Sequence, residues 1–192
     1  MKRISILMIA MLSLGLYSFS QVRVGIRAGA NIAKWKMDSE YSPKSKTGLE
    51  GGLRAEFPIA GKLSLMPELI YSNYGSKLEL DGEDLTYRMN YISLPILVKY
   101  SLPKRISIFA GPQIGFAIKA EQEYLGDKTD LKDDLKKSDL FAVIGAEIEL
   151  GLGLSIGARY NHGLTKLDKD DIILARNHSF GISVGYMLAP RR

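Results

Sequence analysis

From Val22 onward, apolar and polar positions take turns along the chain. Val22, Val24, Ile26, Ala28, Ala30 and Ile32 stand against Arg23, Gly25, Arg27, Gly29 and Asn31. A period of two marks a strand with two unlike faces. The same signature sets Leu49, Gly51, Leu53, Ala55 and Phe57 against Glu50, Gly52, Arg54 and Glu56, and then Leu63, Leu65, Pro67, Leu69 and Tyr71 against Ser64, Met66, Glu68, Ile70 and Ser72. A weaker alternation opposes Ile92, Leu94, Ile96, Val98 and Tyr100 to Tyr91, Ser93, Pro95, Leu97 and Lys99. Residues 106–116 follow, with Ser107, Phe109, Gly111, Gln113 and Gly115 on the second face. Residues 140–150, 154–162 and 178–188 complete a set of eight predicted strands.

The connections decide how these strands are arranged. Residues 58–61, 101–104 and 151–153 are short, whereas residues 34–46, 75–85, 120–138 and 164–176 are long. Short and long alternate throughout, so an up-and-down meander puts every long connection at one end. That asymmetry belongs to a barrel spanning an outer membrane, with four long loops outside the cell and both termini on the periplasmic side.

A soluble ligand-binding barrel of the lipocalin type competes with this reading, and it would turn the apolar face inward. The glycines separate the two. Gly25, Gly29, Gly52, Gly111, Gly115, Gly145, Gly157, Gly181 and Gly185 share the face that carries the charges. A solvated face has no need to be so poor in side chains, but the narrow lumen of an eight-stranded barrel does. Aromatic residues point the same way. Phe57, Tyr100 and Tyr186 fall on the apolar face at the short-turn end, and Tyr71, Phe116, Tyr160 and Phe180 fall on it near the long connections. Two bands of rings match the levels where hydrocarbon meets headgroups.

The amino terminus fits export. Lys2 and Arg3 precede an apolar run from Ile4 to Leu16 and then Tyr17, Ser18, Phe19 and Ser20, so residues 1–20 read as a secretory signal peptide cleaved before Gln21. The formal charge of +5 loses both of those cations on cleavage. A mature chain so nearly balanced lacks the cationic excess of a nucleic-acid-binding surface. The sequence holds no cysteine, which excludes disulfides, thiolate metal sites and catalytic thiols. The remainder, residues 21–192, reads as one domain.

Four stretches resemble the outer-membrane β-barrel proteins of Bacteroidota known as PorT-like. They are residues 63–77 (LSLMPELIYSNYGSK), 91–100 (YISLPILVKY), 110–116 (AGPQIGF) and 154–164 (LSIGARYNHGL). The resemblance implies an all-β, eight-stranded antiparallel transmembrane barrel of OmpA/OmpX architecture in the outer membrane, and it fixes no single activity. Tyr186, Met187 and Leu188 resemble the terminal signal read by barrel-assembly machinery, although Ala189, Pro190, Arg191 and Arg192 follow them.

Candidate chemistry is sparse. His162 takes the outward parity at the long-loop end of its strand and His178 opens the last strand; both read as rim residues, and no catalytic residue is assigned. The acidic stretches at 127–139 and 168–171 are interrupted by lysines and lack the calcium-loop pattern, so they read as solvated loops without a metal. Leu131 and Leu135 suggest a helical turn within the first. No cofactor is expected. The informative set faces the lumen: Arg23, Arg27, Arg54, Lys99 and Arg159 against Glu50, Glu56, Glu68, Glu147 and Glu149. Buried charge is tolerated only when paired, so these ten residues read as a salt-bridge network that plugs the barrel, with Arg27 and Arg54 as the expected partners of Glu68. A selective pore would show an excess of one sign. The expected partners are outer-membrane lipid, the assembly machinery and an extracellular ligand at the loops. Two roles follow from this: a surface-interaction barrel, or an accessory of transport and secretion as the PorT-like resemblance suggests. A narrow porin is a third, less favoured.

Overall fold

Period-two segments become strands here because each can satisfy its backbone only against a neighbour, and in lipid only a closed ring satisfies them all. The computed structural model describes residues 22–36, 44–80, 83–124, 127–130, 138–165 and 176–188. The signal peptide expected at residues 1–20, the acidic stretch at 168–171 and the suggested helical turn at Leu131 and Leu135 lie outside the described residues. Within them run β1 (Arg23–Lys36), β2 (Lys44–Ala60), β3 (Leu63–Leu80), β4 (Glu83–Ser101), β5 (Ile106–Tyr124), β6 (Asp127–Asp130), β7 (Ser138–Gly151), β8 (Leu154–Gly163) and β9 (Arg176–Met187). The sheet runs β4-β3-β2-β1-β9-β8-β7-β5, and pairing of β4 with β5 closes it. Eight antiparallel strands therefore form the barrel, and β6 is a short addition outside the ring.

The two faces separate cleanly. Leu53 is 58 % exposed and its neighbour Arg54 only 6 %; Ile182 is 57 % exposed and Lys99 is fully buried. Apolar side chains cover the outside of the barrel and the charges lie inside. This arrangement is the reverse of a lipocalin and leaves a wall suited to hydrocarbon.

Turn geometry at the short-turn end takes the backbone through positive φ. Gly151 and Gly153 flank Leu152, and all three are in that region, with φ of 106°, 82° and 51°. The β4–β5 connection is a 3-10 turn over Pro103–Arg105.

The opposite end departs from expectation. Residues 75–85 do not form a long loop: β3 continues to Leu80, β4 begins at Glu83, and Leu80 pairs directly with Glu83. Part of the expected loop at 120–138 is also strand. β5 runs to Tyr124, and β6 folds back on it with Glu121 opposite Asp130. These hairpins carry β-structure beyond the point where β7 leaves β5 at the Phe116–Ser138 pair. Extending an existing ladder satisfies backbone groups that an irregular loop would leave to water.

Candidate functional site

All ten charged residues assigned to the lumen point into it, and they form two connected groups. Nearest the short turns, Arg23 meets Glu56 at 2.5 Å and Glu149 at 3.5 Å. The Lys99 ammonium contacts Glu147 at 2.6 Å, Glu56 at 3.1 Å and Glu149 at 3.2 Å. Arg54 joins the same group by donating to Glu147 at 2.8 Å. The second group lies further along the strands. Arg27 donates to Glu50 and stands 3.6 Å from Glu68, and Glu68 accepts from Arg159 at 2.7 Å.

Glu68 thus takes Arg159 and Arg27, and the expected pairing with Arg54 does not form. Arg54 and Glu68 are directly opposite in the β2–β3 ladder. The Arg54 guanidinium instead crosses to Glu147 and Ser155, and its Nε donates to Met187 Sδ at 3.3 Å. In a lumen of eight strands the far wall is within reach of a long side chain, so the adjacent strand holds no privilege.

Two apolar clusters share the lumen with the charges. Met66, Leu97, Phe109 and Val143 form one; Ala33, Tyr74, Met89, Tyr91, Ala120 and Phe141 form the other, toward the long connections. Tyr74, Tyr91 and Phe141 pack there in tilted and edge-on arrangements at centroid distances of 5.5 to 6.4 Å. Phe109 ties charges to cluster, with the Arg159 guanidinium 5.6 Å above its ring. These side chains were not assigned a role from sequence, yet the signal was present. Each except Ala120, which turns inward beyond the register shift between β4 and β5, is an apolar residue on the polar parity, where alternation falters.

The lumen glycines serve two purposes. Gly181 leaves room for Glu50, whose Oε1 would lie 3.1 Å from an added Cβ, and Gly185 does the same for Arg54 at 3.3 Å. Gly52 answers a different demand, because a Cβ there would collide with the Leu69 carbonyl of the neighbouring strand. At the short-turn end the network opens into a vestibule of about 450 Å³ bordered by Arg23, Arg54, Arg105, Glu149 and Ser155.

On the outer wall, Tyr100 and Tyr186 are exposed and Phe57 half-buried near the short turns, while Tyr71, Phe116, Tyr160 and Phe180 are exposed toward the other end. His162 and His178 are cross-strand partners on this wall, not lumen residues. Register brings them together, which parity alone could not show. Among the described residues, no group of three His, Asp or Glu side chains is placed to hold a metal.

A family model described as "Outer membrane protein beta-barrel domain" matches residues 17–169. Among curated protein sequences none matches significantly. Neisserial surface protein A superposes with a TM-score of 0.59 at 14 % identity, covering 85 % of this chain and 96 % of that one. The attachment invasion locus protein Ail of Yersinia pestis, solved in complex with the heparin analogue sucrose octasulfate, superposes at 0.55 with 17 % identity, covering 87 % and 99 %. Likeness at this level of identity concerns the fold: a small, eight-stranded, multi-pass barrel of the outer membrane.

Proposed function

Since the chain belongs to the outer membrane protein β-barrel domain family, we propose that it works as a non-conducting, non-catalytic barrel that presents its strand-extended hairpins outside the cell for surface interaction. The observation that carries this reading is the filling of the lumen. Ion pairs from opposite walls and two apolar clusters occupy the path an ion would take. The hairpin of β3 and β4 and the end of β5 with β6 extend past the closed part of the barrel and supply a scaffold for contacts. Two proteins of similar fold support a surface role in general terms: one is named as a surface protein, and the other was solved with a heparin analogue.

The PorT-like resemblance of residues 63–77 and 91–100 favours a second reading, an accessory role in transport or secretion in a Bacteroidota outer membrane. Deleting the gene and measuring protein secretion separates the two. A surface-interaction barrel predicts unchanged secretion, and loss of secretion restored by the intact gene would replace it with the accessory role.

A further inference from the structure

The lipid-facing wall changes chemistry in one step on β1, β9 and β8. Ile32, Phe180 and Tyr160 form a cross-strand row, and all three are exposed. Two residues further toward the long connections, Lys34, His178 and His162 form the next row on the same face. Lys34 and His162 are exposed and His178 is half-buried. Arg176, exposed as well, stands one row beyond, opposite Lys36.

The row is held in place from below. The Tyr160 hydroxyl is hydrogen-bonded to His178 Nδ1 at 3.0 Å, and the two rings stack. The His162 ring meets His178 edge to face at a centroid distance of 4.6 Å. Both imidazoles are therefore oriented side by side. Their outward neighbours at this end of the three strands, among the described residues, are Lys34, Leu164 and Arg176.

A step of two residues is about 7 Å along a strand. The apolar and aromatic row belongs at the edge of the hydrocarbon, so the basic row lies among headgroups. Headgroups are what touch an outward-facing side chain at that depth. Three adjacent strands spaced about 4.8 Å apart spread the donors over about 10 Å, close to the span of one sugar-phosphate unit. We propose that Lys34, His162 and Arg176, with His178 bracing the His162 ring, form a docking site for a phosphate group of an outer-leaflet lipid headgroup. An ammonium, a guanidinium and the exposed His162 imidazole all donate, and a phosphate offers three acceptor oxygens, with guanidinium suited to two at once. The site would fix the rotational position of the barrel in its leaflet and orient the hairpins above it.

The test uses the full barrel in phosphatidylcholine nanodiscs doped with bisphosphorylated lipid A, followed by transfer to mild detergent and native mass spectrometry to count the lipid A retained. Losing charge-assisted bonds in His162→Gln/Arg176→Gln should lower retention about tenfold. His162→Lys/Arg176→Gln, which keeps a cationic donor at position 162, should restore much of it. Faster migration of unboiled samples on a gel establishes that each variant is folded. Wild type should retain dephosphorylated lipid A no better than the double variant retains the bisphosphorylated form. Equal retention by wild type and folded double variant would overturn the proposal, as would equal retention of the dephosphorylated lipid. Displacement of lipid A by inorganic phosphate at matched concentration would also overturn it, by assigning the patch to a soluble anion.

Discussion

Glu68 on β3 and Arg159 on β8 meet at 2.7 Å, although four strand-to-strand steps separate them in either direction around the ring. Arg54 on β2 and Glu147 on β7 stand in the same relation at 2.8 Å. These two bridges span the barrel at its full width, one in each charge group. They link walls that share no backbone hydrogen bond, and they place rigid, paired charge on the barrel axis.

Removing one partner should therefore cost more than trimming a surface pair. Breaking a buried ion pair costs about 3 to 5 kcal/mol in a dry interior, and water entering the lumen would reduce that. Glu68→Ala should lower unfolding stability in lipid by a measurable part of that range, read from denaturant titrations of the refolded barrel. Because Arg159 and Glu68 act as a unit, Glu68→Ala/Arg159→Ala should cost about 1 kcal/mol or more less than the sum of the single variants. Strict additivity would mean the bridge contributes nothing.

Gly52 and Gly181 both lack a side chain on the lumen face, yet they should respond differently to alanine. At Gly52 the added carbon meets the Leu69 carbonyl, which is fixed in the β2–β3 ladder. At Gly181 it meets the end of the Glu50 side chain, which can shift. Gly52→Ala should impair assembly in refolding yield and gel migration, and Gly181→Ala should be nearly silent. The reverse order would show that the register between β2 and β3 differs from that described.

The outer wall gives a third expectation. Leu53 and Ile182 face outward near mid-strand, and an arginine at the membrane midplane costs about 2 to 4 kcal/mol. Ile182→Arg and Leu53→Arg should each lower folded yield in liposomes well below that of Ser183→Ala, which changes the lumen face. Equal yields would mean that the faces are inverted.

Strand positions and faces were legible because period two is a local property that each residue reports for itself. The ten lumen charges were legible for the same reason. Partners were not: Arg54 lies opposite Glu68 in the ladder and still bonds Glu147, a choice set by closure of the ring rather than by spacing along the chain. The β3–β4 hairpin does carry a sequence signal. Asp81 and Gly82 stand between Leu80 and Glu83, and Asp-Gly is a favoured two-residue hairpin dipeptide. The apolar clusters were hidden in a different way, since Met66, Leu97, Phe109 and Phe141 look like faults in the alternation until they are seen to fill one interior.

A closed ring without a free edge should resist mild SDS. The purified protein should run faster unboiled than boiled, and identical migration would count against closure.

Ion flow through the purified wild-type barrel in a planar bilayer tests the central claim most directly. With Arg54–Glu147 and Glu68–Arg159 crossing the lumen and Phe109, Tyr74, Tyr91 and Phe141 packed between and above them, the wild type should show little or no steady conductance. Brief openings should appear only when a crossing pair is removed, as in Glu68→Ala. A large, stable, ion-selective conductance in the wild type would contradict the account and make the protein a pore.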